Sequence, residues 1–478
     1  MRGSALILIG SWVVTCARAQ GVAIHKPAAP AVEVLFVSDI HFEPFWDPGK
    51  AERLKAAPVA EWGSILAAPD SADRETRFQQ MQQKCQERSA DSSYQLYQSS
   101  LKAMRAHAAG ARFMVLSGDL MSHDFSCKFA TVFPKAAPGD YRAFAGKTVN
   151  YVVAELRAAL PGVLLYAALG NNDSDCGDYQ IDANSEFLAS LAPEFTRGFA
   201  AADREQAMRD FAAGGYYSVD LPAPVKNTRL LVLDDLFMSR RYQTCGGKAD
   251  DAPAAAQIAW LKLQLDAARQ SGEKVWVVAH IPPGVDPYAT ARKALNICGG
   301  AAPQMYLSSE KLPEVMAEYG DVIALAVFAH THMDEMRLLV PALAGAARGP
   351  VPVKMIASIS PVDGNNPSFT IGQVDAASAA LKDYRVIAAS NQTGVGTTWT
   401  EEYDFARTYH QPAFTGVALR NLIAEFKADT TGQSAASQSY LKHYMTGVDL
   451  RGLNLIWQPY VCALNNDSAD AFKACVCK

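Results

Sequence analysis

Asp39 and His41 in "SDIHF", Asp119 and His123 in "SGDLMSHD", Asn171 in "GNND", His280 in "VAHIPPG" and His330 and His332 in "AHTH" are the residues whose types and spacing could do chemistry. Carboxylate and amide oxygens with imidazole nitrogens make a donor set for zinc, iron or manganese. Asp39 and His41 are two apart, as are His330 and His332, so along extended chain both members of each pair face one side. Two cations at the spacing of two-metal hydrolases, about 3.5–4 Å, need a carboxylate to bridge them. Such a pair lowers the pKa of a bound water toward neutrality and makes it a nucleophile.

The elements that would position these donors are readable. "VEVLFVSD", "RFMVLSGD", "VLLYAALGNND", "KVWVVAH" and "IALAVFAHTH" are apolar runs of strand length. Continuous apolar runs suit strands buried on both faces in an α/β sheet. They end on Asp39, Asp119, Asn171, His280 and His330. Ligands of open α/β sheets bind at the carboxyl ends of strands, so five such ends on one rim would form a metal site. "GYYSVDL" and "TRLLVLDD" read as paired strands, and "VPVKMIASIS" and "DYRVIAAS" as later ones. "SSYQLYQSSLKAMRAHAAG", "VNYVVAELRAAL" and "AAAQIAWLKLQLDAARQSG" have helical spacing. From about Thr397 the pattern turns helical, in "EEYDFARTYH", "VALRNLIAEFKAD" and "SYLKHYM". The expected division is an α/β domain over 32–396 and a helical, cysteine-bearing region over 397–478.

The chain has 478 residues, 49% of them hydrophobic, and a formal net charge of -5. That is ordinary globular composition. No basic run marks a binder of duplex nucleic acid, and an acidic surface is not drawn to an anionic membrane. "MRGSALILIGSWVVTCARAQG" has the layout of a signal peptide over 1–19, with cleavage expected near Ala19 and the mature chain secreted or periplasmic. No segment is a candidate membrane span. Nine cysteines less Cys16 in the leader leave eight. An even number in an exported chain suggests disulfides, although eight cysteines allow 105 pairings. The tail is expected to be tied through Cys462 to Cys475 or Cys477, and Cys176 to be half of a disulfide. His25, His107, His410 and His443, outside the motifs, read as surface residues.

In their order along the chain, D-x-H, G-D, G-N, H and H-x-H resemble the calcineurin-like metallophosphoesterase family. The resemblance spans roughly residues 32–390 and implies an α/β (α+β) fold, a four-layer β-sandwich flanked by helices, with a small helical C-terminal region. It also implies that Asp39, His41 and His332 hold one metal, that Asn171, His280 and His330 hold the other, and that Asp119 bridges them. His123, four residues after Asp119, together with "HIPPG" and "SPVDGNNPSF", is similar to the acid sphingomyelinase-like phosphodiesterase branch. Zinc is expected on that resemblance, with iron and manganese as alternatives. The short stretch between Ala19 and Asp39 is expected to hold no saposin domain, which favours a small soluble phosphoester as substrate.

The second asparagine of "GNND" departs from the family, whose members mostly carry histidine there. Asn172 can give a phosphate oxygen a hydrogen bond but cannot donate a proton at working pH. His123 is then the expected general acid, since an imidazole of unperturbed pKa about 6.5 suits the task. Asp173 is expected to fix loop geometry. The resulting expectation is a metal-dependent phosphodiesterase. The alternatives are a phosphomonoesterase of the same fold, or a metal-binding protein that has lost catalysis, which Asn172 alone favours.

Overall fold

Twelve strands form two six-stranded mixed sheets among the residues described by the structure, a computed structural model covering 31–137, 139–341, 349–448 and 452–477. They are β1 (Ala31–Val37), β2 (Phe113–Ser117), β3 (Leu164–Ala168), β4 (Tyr217–Asp220), β5 (Thr228–Val232), β6 (Lys274–Val278), β7 (Ile323–Phe328), β8 (Glu335–Leu339), β9 (Val351–Met355), β10 (Ser368–Asp375), β11 (Leu381–Ala389) and β12 (Trp399–Asp404). The first sheet runs β12-β11-β10-β1-β2-β3 and the second β4-β5-β6-β7-β9-β8. β1, β2 and β3 are mutually parallel, as are β5, β6, β7 and β9, and the other pairings are antiparallel. The expected signal peptide over 1–19 lies outside the described residues.

The sheets meet through aromatic residues at their centres. Trp276 of β6 stacks on Phe36 of β1 at 6.0 Å between centroids and takes the edge of Phe113 of β2 at 5.8 Å. Its indole N–H, which could not be buried unpaired without cost, donates to the Ala379 carbonyl at 2.8 Å. Outside the first sheet lies the helix Tyr94–His107, started by Ser93, whose hydroxyl accepts from Leu96 N. It buries Leu96, Tyr97, Leu101 and Met104. Against the second sheet, on β5 and β6, lies the helix Ala252–Ser271, which buries Leu261 and Leu265. Helix, sheet, sheet and helix make the expected four layers.

Several elements differ from the expectation. "EEYDFARTYH" opens as strand β12, paired with β11, and is helical only over Phe405–Tyr409. Glutamates favour helix, but tertiary pairing overrides propensity here. Tyr403 donates to Asp334 at 2.7 Å and Trp399 to Ser99 Oγ at 3.0 Å. A boundary at 396/397 therefore falls between two strands of one sheet. His443 is buried rather than on the surface. It stacks on Tyr403 at 4.3 Å, with Nδ1 2.8 Å from Glu402 Oε1. β8 and β10 lie outside the expected strands.

All eight described cysteines pair, as Cys85–Cys127, Cys176–Cys245, Cys298–Cys477 and Cys462–Cys475. Cys176 is thus half of a disulfide, and Cys475 is the partner of Cys462. Four disulfides fit a secreted protein. Among the described residues no helix is long and apolar enough to cross a membrane.

Candidate metal centre

The carboxyl ends of β1, β2 and β3 from one sheet and of β6 and β7 from the other deliver Asp39, Asp119, Asn171, His280 and His330 to one rim, joined by His41 and His332. The loops are packed too closely for side chains at the motif glycines. A Cβ on Gly118 would lie 2.7 Å from Gly170 N, and one on Gly170 would lie 2.2 Å from Asp119 Oδ1. The chain is also strained where the donors sit. Asp39, His41, Asp119, His330 and His332 all have left-handed backbone, with φ between 43° and 72°. Non-glycine residues adopt this region rarely, and such strain concentrates at functional sites.

The donors converge in a buried space. His41 Nε2 is 3.1 Å from His332 Nε2 and 3.4 Å from Asp119 Oδ2. His280 Nε2 is 3.1 Å from Asp119 Oδ2 and 3.2 Å from Asn171 Oδ1, and His332 Nε2 is 3.5 Å from Asp39 Oδ1. Backbone carbonyls fix two of the tautomers, because a carbonyl can only accept. His41 Nδ1 meets Met121 O at 2.8 Å and His280 Nδ1 meets Ser117 O at 2.6 Å, so each ring turns Nε2 inward. Asn171 is oriented likewise. Its Nδ2 donates to Asp178 at 2.8 Å, which leaves the amide oxygen facing the site.

This arrangement fits cations. Both carboxylate oxygens of Asp39 are buried without a hydrogen-bond partner, a costly state that a metal relieves. Asp39, His41 and Asp119 form one group able to hold an ion, and Asp119, His280 and His330 another. The shared Asp119 lies between them. Burial opposes charge on every one of these imidazoles. At His41 it is outweighed by Asp119 and Asp39, which carry the ring to about 9, and at His280 by the same carboxylates, which carry it to about 10. At His330 and His332 burial wins and the rings fall to about 3 and about 4. Burial also works to raise Asp39 and Asp119, yet the imidazoles hold both below the ordinary carboxylate range.

The two residues expected to act on substrate part company. His123 lines the cleft, its ring stacked on His41 at 3.9 Å. Asn172 does not line the cleft: its backbone N–H binds Asp119 Oδ1 at 2.8 Å and its Nδ2 binds Asp119 Oδ2 at 2.9 Å. One N–H of the amide NH2 is thereby held on the central carboxylate, and this bond leaves the second hydrogen of the group unused. Asp173 is buried and accepts from Gly170, Leu120 and Met121 N–H groups, which ties the two loops together.

Three carboxylates escaped sequence reading. Asp178 holds Asn171, Asp363 Oδ2 stands 3.2 Å from His332 Nδ1, and Asp91 binds His123. Each lies in a loop without a periodic signal, and although Asp363 falls within "SPVDGNNPSF", that stretch carried no expectation of a contact to His332. The cleft holds about 490 Å³ and runs from the donors toward Tyr288, Tyr306, Tyr444 and Tyr460, with Arg88, Arg241 and Arg292 around it.

With the donor set and cleft in place, the chain can be set beside known proteins. In class it is a metal-dependent phosphoric diester hydrolase, and its homologues are acid sphingomyelinase-like phosphodiesterases. It is 26% identical to acid sphingomyelinase-like phosphodiesterase 3b of Homo sapiens over 404 residues, 81% of this chain and 80% of that one. It is 26% identical to the cyclic GMP-AMP phosphodiesterase SMPDL3A of Mus musculus over 366 residues, 74% of this chain and 73% of that one. Among solved structures, a dimetal phosphatase from Danio rerio aligns over 78% of this chain and 99% of its own, with a TM-score of 0.41 and 12% identity. No protein-family model matches the chain.

Proposed function

We propose that this chain is an exported, binuclear phosphodiesterase that hydrolyses a small soluble phosphodiester. The observation that carries the reading is the convergence of seven N and O donors at five strand ends around the unpartnered carboxylate of Asp39. Asp39, His41 and His332 would hold one cation, and Asn171, His280 and His330 the other, with Asp119 available to both. Two cations bound there supply an activated water and polarise the phosphoryl oxygens. The metal is zinc, with iron and manganese suited to the same donors.

The chain's own residues do the rest. The cleft aligns the diester, whose second substituent lies along the tyrosine-lined end. That end is why a diester is favoured over a monoester. The attacking water gives a proton to solvent, and its oxygen bonds to phosphorus as the bond to the leaving oxygen breaks. His123 gives its Nε2 proton to that oxygen and is reprotonated from solvent. Asn172 and Asp178 steady Asp119 and Asn171. Residues 1–19 are the leader, removed near Ala19, which N-terminal sequencing of the secreted chain tests.

The deciding experiment is hydrolysis of bis-p-nitrophenyl phosphate and p-nitrophenyl phosphate by the purified chain, before chelation, after it, and after return of metal. Chelator-sensitive diester cleavage above monoester cleavage is expected. Monoester cleavage in excess assigns a phosphomonoesterase. No cleavage of either with two metals bound assigns a protein that keeps its ions and has lost catalysis.

A further inference from the structure

Asp91 is fully buried in the loop before the helix Tyr94–His107, and nothing in the motifs points to it. Its carboxylate grips His123 twice. Oδ2 accepts from the His123 backbone N–H at 2.7 Å, and Oδ1 lies 3.0 Å from the ring Nδ1. A carboxylate only accepts, so Nδ1 carries the hydrogen of that contact and Nε2 is the nitrogen left for the cleft. Asp91 is held in turn. Ser360 Oγ donates to Oδ1 at 2.9 Å, and Lys128 Nζ stands 3.6 Å from Oδ2.

Lys128 is itself fully buried, an expensive place for an ammonium unless it is paired. It also meets Glu43, and Glu87 at 3.2 Å. This buried cluster reaches the donors electrostatically, since Asp91 is one of the carboxylates that raise His41. It is braced by Cys85–Cys127, whose halves lie two residues from Glu87 and next to Lys128. Ser360 ties the cluster to the rim, since its own N–H donates to the Asp39 carbonyl at 3.0 Å.

We infer that Asp91, anchored by Lys128 and Ser360, is the positioning residue for His123, fixing its loop and its ring together so that Nε2 is presented to the leaving group. The inference rests on the reading of His123 as proton donor. An aspartate that fixes the tautomer and direction of a catalytic imidazole is a general solution to this problem. It acquires particular weight here, because position 172 supplies no second imidazole.

The test compares Asp91→Asn, Ser360→Ala, His123→Ala and the Asp91→Asn/His123→Ala double variant on two diesters. Bis-p-nitrophenyl phosphate has a good leaving group, and diphenyl phosphate a poor one. Asp91→Asn is expected to lower kcat for diphenyl phosphate on the order of 10–100-fold and to change the nitrophenyl ester by less than about threefold, with metal content unchanged. Adding it to His123→Ala should bring no further loss. Ser360→Ala should show the same selectivity at smaller size, and it carries the test if Asp91→Asn does not fold. Selective loss in His123→Ala with none in Asp91→Asn overturns the positioning role and leaves the proton donor standing. No selectivity in either variant overturns both. Loss of metal from Asp91→Asn would make His123 a ligand and also overturn the inference.

Discussion

Asn172→Ala should loosen the metals, leaving the grip on substrate as it is. The substitution removes one hydrogen bond, from Nδ2 to Asp119 Oδ2 at 2.9 Å, and spares the backbone bond to Oδ1 at 2.8 Å. Both residues are at most 4% exposed, so water does not replace the lost donor cheaply. A hydrogen bond to a charged group contributes about 1.5–3 kcal/mol. At about 1.4 kcal/mol per tenfold, that is roughly 10–100-fold in the hold on any ion that uses Asp119. The assay is dialysis of variant and parent against graded chelator, with bound metal measured at each step, alongside kcat and KM for bis-p-nitrophenyl phosphate at saturating metal. Metal should leave the variant at lower chelator strength while KM stays near the parent value. A raised KM with unchanged metal retention would refute the reasoning and return Asn172 to the phosphate.

Asp178→Ala frees the Asn171 amide to rotate, and metal affinity should fall on the order of 10–100-fold in the same dialysis assay. Gly170→Ala puts a Cβ 2.2 Å from Asp119 Oδ1 and should cost about 1–3 kcal/mol as overpacking, read as a lower Tm together with lost metal. Removing both metals from the parent chain should lower Tm by about 8 °C, taking each of two ions at a thousandfold over its Kd and the usual unfolding entropy for a chain of this size. The paired change Cys298→Ser and Cys477→Ser opens a link with 179 residues of sequence separation and should cost about 2–5 kcal/mol in denaturant unfolding. Equal midpoints for that variant and the parent would show that packing alone holds the tail.

What the sequence made legible follows from burial. Strands β1, β2, β3, β6 and β7 are largely covered on both faces, so each is a mostly apolar run, interrupted in β1 by Glu33, and the polar residues just after it mark the rim. β8 hides because it carries charge into the core. Glu335 accepts from Tyr460 at 2.9 Å and Arg337 donates to Pro283 O at 3.1 Å, pairings that no local pattern announces. β12 hides because its glutamates favour helix and only the edge of β11 makes it a strand. Asp91, Asp178 and Asp363 hide for a third reason. Their partners lie 32, 7 and 31 residues away in sequence, and loops without periodicity set the approach. His443 misleads in the same way, since its burial depends on Tyr403 and Glu402 of an unexpected strand.

The left-handed residues join these threads. Five of the seven proposed donors have φ between 43° and 72°, a conformation that costs roughly 1 kcal/mol or more for a residue with a Cβ. Such strain persists only where the surroundings over-determine it. They do so here by bonds between loops. Asp39 N binds Gly118 O at 3.0 Å, His41 N binds Asp119 O at 3.0 Å, Ser360 N binds Asp39 O at 3.0 Å and Ser358 N binds His332 O at 3.2 Å. Close approach at Gly118 and Gly170 lets these loops pack together. The fold therefore spends stability along one line of the molecule, where strand ends from both sheets turn sharply enough to aim carboxylates and imidazoles at a common point. A chain under selection only to fold would relax those turns with glycine. Keeping aspartate and histidine in them is the behaviour of a rim that exists to hold ions.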